Sequence, residues 1–343
     1  MIACVVDKTQ KRRESFVRIH RRERHVTRYS YAEKFNFLYS DIDYEYIPGL
    51  TRPWDDGYLT PVFFNLSVLN KYTQHPGYRL DLFSNTYGTI WFGDQWTIDF
   101  GINRKKNVIM WLGDIARLPE NEIYYLRSEN IDSDHDIHSQ FYNAQIEVEF
   151  AESSPQQEAI RERRALNDLV LDTFGWTLFH LEGEIDRVIA NLNRPVFWQD
   201  THIRSAIESL NRIFVESVNV EAVKAELKKT NPEIEVKSIK SLKSLQLWLT
   251  ERLAFTNAED LLCPFFVLYD YRILVCHLIS DDKKYNILMS INGRLELPKD
   301  NSSNEAIYDA LVSKLLFSIQ AIKERVKYQQ ALGDDAPKPV LRE

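Results

Sequence analysis

Phe265-Phe-Val-Leu-Tyr-Asp-Tyr-Arg-Ile-Leu-Val-Cys-His-Leu-Ile279 is the stretch on which the reading of this chain turns. It is an apolar, helix-like run. Pro264 stands just before it and can occupy the first turn of a helix, where its missing N–H is not needed. From there the helix is expected to run to about His277. Only three of the fifteen residues can carry charge near neutral pH: Asp270, Arg272 and His277.

Working outward, nearly everything from about residue 155 carries helical spacing. Ala159 to Phe174 gives one helix, interrupted by Gly175. Leu181, Ile185, Val188, Ile189 and Leu192 give a second, ended before Pro195. Ile203, Ile207, Leu210, Phe214 and Val218 give a third, with Val220, Val223 and Leu227 as a short extension closed by Pro232. Ile239, Leu242, Leu245, Leu249 and Leu253 give a fourth. After the quoted run, Ser302-Ser-Asn-Glu305 reads as a capping box. It opens a last helix on Ile307, Leu311, Leu315, Ile319, Ile322 and Val326. Residues 331–343 read as a polar tail.

The other half of the chain changes period. Tyr58 to Tyr72 has helical spacing through Val62, Phe63, Leu66, Leu69 and Tyr72, after the turn-like Asp55-Asp56-Gly57. Beyond Pro76-Gly77 the pattern alternates. Tyr78, Leu80 and Leu82 share a face, as do Trp96, Ile98, Phe100 and Ile102, and again Val108, Met110 and Leu112 after Asn103-Arg-Lys-Lys-Asn107. Asn85, Gly88, Gly93 and Asp94 supply turns. This predicts a β-meander with one apolar face packed on at least one helix, its sheet largely within residues 75–115. Pro119 with Glu120 and Glu122 suits a helix start, since acidic groups favour the positive end of the helix dipole. Residues 132–154 read as a polar crossover. The expected fold class is α+β: a β-meander-rich module over residues 29–150, followed by a helical bundle over 155–330.

With 343 residues, 44% hydrophobic and 27% charged, the chain has material for two ordinary domains. No run of about eighteen apolar residues exists, so no membrane helix is expected. Cys4, Cys263 and Cys276 are odd in number and lack metal-ligand spacing, which fits a reducing, cytoplasmic location. Net charge is −7, yet Lys8 to Arg28 hold nine Lys or Arg against two Glu. Residues 1–28 therefore read as a basic, loose arm, either solvated or able to meet phosphates or an acidic partner.

Arg272 and His277, with four residues between them late in an all-helical segment, resemble the signature of HEPN domains. Many HEPN proteins are metal-independent ribonucleases of toxin and antiphage systems. Their chemistry needs the 2′-hydroxyl of RNA deprotonated and the developing charge on phosphorus neutralised. An imidazole can carry the proton, and a guanidinium suits the phosphate oxygens. In an ideal helix the two residues lie about 140° apart; HEPN proteins typically bring two protomers together so that both motifs meet. The resemblance thus implies Arg272 and His277 as catalytic residues, RNA as substrate, a homodimer, no cofactor or metal, and a defence or antitoxin partner protein. Ile273 stands where active members commonly carry Asn, Asp or His. The same residues also fit a buried helix in which Arg272 pairs with Asp270 or Asp281 and His277 ends the helix. On that reading the chain is a non-catalytic dimerising interaction or sensor protein.

The block Trp111-Leu-Gly-Asp-Ile-Ala-Arg-Leu-Pro-Glu-Asn-Glu-Ile-Tyr-Tyr-Leu-Arg-Ser-Glu-Asn-Ile131 resembles one in uncharacterised bacterial proteins encoded near mobile and defence genes. Members of that family begin near the position of Arg28. Three further groups carry weighable chemistry. Asp132-Ser-Asp-His-Asp-Ile-His138 is rich in oxygen and imidazole ligands but lacks calcium-loop or zinc spacing, so a solvated loop is expected. Trp91, Phe92, Trp96, Phe100 and Trp111 are expected to pack across strands; the alternative is a stacking pocket for a nucleotide. Asp114, Arg117 and Glu122 form either a polar site or a salt bridge and cap at the strand-to-helix corner. No phosphate loop, dinucleotide fingerprint or serine nucleophile elbow is present.

Overall fold

The computed structural model describes residues 35–40, 43, 58–149, 153–236 and 238–332. The basic arm, Cys4, the Asp55–Gly57 turn and residues 333–343 lie outside the described residues. The chain divides into two compact units, Met1–Glu152 and Ser153–Glu343. The fold is α+β.

The first unit is built on an antiparallel sheet of six strands: β1 (Pro61–Phe64), β2 (Arg79–Ser84), β3 (Tyr87–Phe92), β4 (Trp96–Ile102), β5 (Val108–Trp111) and β6 (Asn130–Ile131). Their spatial order is β2-β3-β4-β5-β1-β6, so β2 to β5 are the predicted meander. The sheet extends past the expected span. β1 pairs with β5 through Val62↔Met110 and with β6 through Phe63↔Ile131. The predicted helix from Tyr58 is thus corrected: Pro61–Phe64 is an inner strand, and helical structure starts at Leu66 and continues in α1 (Asn70–Gln74). All four β1 residues are buried. With both faces covered, the strand shows no period-two alternation, and its apolar run merges with the helical spacing after it. Gly88, expected in a turn, lies inside β3. A Cβ there would meet the Asp81 carbonyl oxygen at 2.6 Å and the Phe100 ring at 2.6 Å.

The sheet has two apolar faces, not one. Leu80, Ile90, Ile98, Phe100, Met110 and Val62 alternate onto the first. Phe63, Ile109 and Trp111 point to the second, where Phe141 and Tyr142 cover them. The supposed polar crossover therefore holds α4 (Gln140–Tyr142) and a π-helical turn, Asn143–Glu147. At the corner after β5 lie α2 (Leu112–Ile115) and then α3 (Glu120–Glu129), which starts after Pro119 as expected.

Among the described residues the second unit is mostly helix, with one isolated antiparallel bridge, Phe179↔Val218: α5 (Pro155–Phe174), α6 (Glu182–Ala190), α7 (Asp200–Asn211), α8 (Val220–Thr230), α9 (Ser241–Glu251), α10 (Ala258–Cys276), α11 (Asp281–Arg294) and α12 (Asn304–Leu332). Ser154 caps α5, with Pro155 in its first turn, and Gly175 closes it at φ +76°, the left-handed conformation that glycine adopts without strain. α10 packs against α7, α9, α11 and α12. Such a central place suits a helix that is apolar on nearly all sides. Phe265, Leu268 and Tyr271 are fully buried in it.

Four sequence expectations change here. α10 begins at Ala258, so Pro264 sits inside the helix rather than in its first turn. The segment from Val220 is a helix of its own, capped by the Asn219 side chain. Ser303, not Ser302, accepts the capping hydrogen bond of α12, from the Ala306 amide at 3.2 Å. And α11 was not anticipated.

Candidate functional site

The quoted run ends its helix at Cys276. His277 leaves it with extended backbone (φ −113°, ψ 149°), while its N–H still donates to the Ile273 carbonyl at 3.2 Å. The chain then turns through Leu278, which is wholly exposed, to Ser280 at the head of α11. The His277 side chain is exposed, and it makes no hydrogen bond among the described residues. Because His277 lies past the last helical residue, an angle drawn on an ideal helix does not place it. No hydrogen bond or ion pair joins it to Arg272.

Arg272 is turned toward α7 and the segment that follows it. That helix passes into a π-helical turn, Arg212–Glu216. Such turns are rare and often accompany functional sites. Asn211, almost fully buried, donates its Nδ2 to Glu216 Oε1 at 2.8 Å, a five-residue spacing that the wider turn makes available. Glu216 Oε1 in turn lies 3.9 Å from Arg272 Nη2. That is close enough for an ion pair and too far for a hydrogen bond. Neither Asp270 nor Asp281, the partners the buried-helix reading offers Arg272, pairs with it; Asp270 instead meets Arg294 of α11 at 2.5 Å. Among the described residues Arg272 donates no side-chain hydrogen bond, and its Nε is buried without a partner; the Oδ1 of Asn211 is likewise unpartnered.

Two other arginines of this unit with little exposure are engaged instead. Arg163 donates to Ile213 O, to Ser217 Oγ and twice to Glu182. Arg194 grips Asp309 and Glu305. A buried donor without an acceptor costs on the order of 1–3 kcal/mol. Between Arg272 and His277, burial and Glu208 push the Cys276 thiol up, while Arg272 and Arg204 pull it down. On the Asp270 side of α10 an open cleft of about 480 Å³ lies against α11, lined by Asp270, Ser280, Asp282, Lys283 and Asn286 among others.

In the first unit the three remaining groups resolve into packing and ties. The Asp132–His138 loop is pinned rather than merely solvated. Asp134 accepts from Asn103 Nδ2 at 2.8 Å, Asn107 Nδ2 at 2.8 Å and the Asp136 amide at 2.9 Å. Burial pushes its carboxyl up, but these hydrogen bonds and Lys105 outweigh that and hold it below the usual carboxylate range. His135 Nδ1 meets the buried Asp43 at 2.6 Å. Among the described residues no three His, Cys, Asp or Glu gather as a metal-ligand set. The aromatic residues divide between the two faces of the sheet: Phe92 stacks on Trp96, centroids 5.9 Å apart, and Trp111 on Phe141 at 4.9 Å.

Asp114 accepts from the Tyr58 hydroxyl and lies 3.9 Å from Arg117 Nη1, the salt-bridge reading. Burial pushes its carboxyl up. Glu122 belongs to a different cluster. It is buried and accepts from Lys71 Nζ at 2.7 Å, Tyr78 Oη at 2.6 Å and Tyr72 Oη at 3.2 Å. Both phenols are pushed up, first by burial and then by Glu122. Sequence reasoning missed this cluster because Lys71, Tyr72 and Tyr78 stand over forty positions from Glu122. It missed Glu216 for the same reason.

In comparisons with known proteins, no family model, no curated protein and no solved structure matches the chain. Among the described residues no helix is long and apolar enough to cross a membrane.

Proposed function

We propose that this chain is a metal-independent endoribonuclease of HEPN type, working as a homodimer in bacterial defence or toxin-type regulation. His277 carries the proton of the 2′-hydroxyl, and Arg272 neutralises the phosphate. The 2′-oxygen attacks the adjacent phosphorus and the 5′-oxygen leaves with a proton. The products are a 2′,3′-cyclic phosphate and a 5′-hydroxyl end. The observation that carries this reading is the state of the pair: an exposed imidazole, and a guanidinium that donates no hydrogen bond among the described residues and whose Nε is buried without a partner. Arg163 and Arg194, the two other little-exposed arginines named above, spend their donors on carboxylates, so spare donors on the partly buried Arg272 favour an anionic ligand.

The test is cleavage of single-stranded RNA by the full chain in the presence of a chelator, with the product ends analysed. His277→Ala and Arg272→Ala should each remove activity while the oligomer and the thermal midpoint stay unchanged. A wild-type chain that cuts no RNA with its partner proteins present and absent would refute the enzyme.

A second reading has its own observation. Leu278 is wholly exposed and Tyr269 is nearly half exposed, on or beside the helix that is otherwise the apolar centre of the bundle. Isolated apolar side chains at a surface are ordinary, but these flank the Arg272–His277 segment. They favour a non-catalytic dimerising interaction or sensor protein, in which this segment forms the contact. Leu278→Asp would then dissociate the dimer, whereas His277→Ala would change nothing.

A further inference from the structure

Three features meet at one point between α7 and α10. The first is a guanidinium with no hydrogen bonds among the described residues. Arg272 Nε is buried and unpartnered, although the Arg272 side chain as a whole is 26% exposed. Nε and Nη2 form one edge of the guanidinium fork, the edge that binds two oxygens of an oxyanion side by side. The second is a carboxylate near that edge but not on it: Glu216 Oε1 stands 3.9 Å from Nη2. The third is the reason Glu216 stays there. Its Oε1 accepts from the buried Asn211 amide, and the π-helical turn sets that spacing. Glu216 is itself 49% exposed, so solvent reaches the same place.

A carboxylate free to choose would close the last ångström and form a bidentate pair with Arg272. Here the amide tether and the turn hold it short. The guanidinium is therefore neutralised in part yet keeps its donors. An incoming phosphodiester meets the Nη2 side of the fork beside the Glu216 negative charge, and reaches the buried Nε only when the groups covering it shift.

We propose that Glu216 is a built-in competitor for the phosphodiester at Arg272, a gating carboxylate that weakens substrate binding until it moves aside. This rests on the reading of Arg272 as the phosphate-binding residue. It adds the residue that opposes it, and the turn that poises that residue.

The experiment measures binding, so that it stays separate from turnover. The probe is a short fluorescent 2′-deoxy oligonucleotide, which lacks the attacking hydroxyl and cannot be cut. Its affinity for the full chain is measured by anisotropy at low salt. Glu216→Gln keeps the size of the side chain and its bond to Asn211 but removes the charge. One unit charge about 4 Å from the fork in a half-exposed setting implies roughly fivefold tighter binding. In Arg272→Gln the same Glu216→Gln change should give no gain, because the fork is gone. Added salt should shrink the gain. Glu216→Ala serves as a second variant, and thermal midpoints confirm folding for all. Unchanged affinity in both Glu216 variants overturns the proposal. So does an equal gain in the Arg272→Gln background, which would report only a less acidic surface. If the gain appears and no RNA is ever cut, the gate stands and the nuclease reading falls; if RNA is cut and no gain appears, the reverse holds.

Discussion

Arg163 is fully buried in the helical unit, and the cost of isolating it can be worked out. Its guanidinium donates to the Ile213 carbonyl at 2.8 Å, to Ser217 Oγ at 3.1 Å and to Glu182 at 2.9 and 3.2 Å, and it lies 4.3 Å from the centre of the Phe179 ring. Glu182→Ala leaves that charge buried with its carboxylate gone. Breaking a fully buried pair costs about 3–5 kcal/mol. Glu182 is 39% exposed, so solvent already screens it, and about 2 kcal/mol is the better expectation. Arg163→Met removes the charge together with its desolvation burden. It orphans little, because Ser217 Oγ still donates to the Ile213 carbonyl at 2.6 Å and Glu182 reaches water. Its cost should stay within about 1 kcal/mol. The sign of the double mutant is the sharp result: Arg163→Met with Glu182→Ala should be more stable than Glu182→Ala alone, a rescue by a second deletion. Urea unfolding followed by circular dichroism gives the three free energies. The Glu182→Ala midpoint should fall by roughly 4–8 °C. An Arg163→Met variant no more stable than Glu182→Ala would refute the reasoning.

His277→Ala should change stability by less than about 0.5 kcal/mol, as for other exposed positions, so lost RNA cleavage in that variant cannot be blamed on unfolding. Asp134 has a depressed carboxyl, so its contribution is present above the ordinary carboxylate range and lost as pH falls through the lowered value. Asp134→Asn should therefore cost about 1–2 kcal/mol near neutral pH, with the gap to wild type closing in acid; a gap that widens in acid contradicts the sign. Gly113→Ala would put a Cβ 2.0 Å from the Tyr58 ring, which must move off Asp114, at about 1–3 kcal/mol by calorimetry.

The parts of the fold legible in the sequence are those with one wet face. β4 shows its pattern because Ile98 and Phe100 are buried while Thr97 is exposed. α5 shows its ends because Ser154, Pro155 and Gly175 each do a local job. Elements wet on nearly all sides, or on none, are the ones that escaped. β1 is buried on both faces and so has no alternation to read. α11, beginning Asp281-Asp-Lys-Lys, buries only Ile291 and Asn292 and so has no apolar stripe. Its helix rests on neighbours rather than on its own pattern.

The candidate site divides along the same line. Arg272 and His277 are visible as residue types at a spacing, and the end of α10 at Cys276 is nearly where the apolar run predicts it. The state of Arg272 is not visible, because it depends on residues brought from far away in the chain. Glu216 reaches it only because α7 widens into a π-helical turn, and no local signal in Arg212-Ile-Phe-Val-Glu216 marks that widening. The turn is held from inside by Arg163, which bonds both Ile213 and Ser217 on either side of Glu216. The buried arginine and the unspent one are thereby linked. Arg163 spends its donors to hold the turn, the turn sets the reach of Glu216, and that reach leaves the Arg272 fork unspent. Loosening the first link should let Glu216 close on Arg272. The Arg163→Met variant, which removes both bonds to the turn, should then bind the deoxy oligonucleotide more weakly than wild type, the opposite of Glu216→Gln.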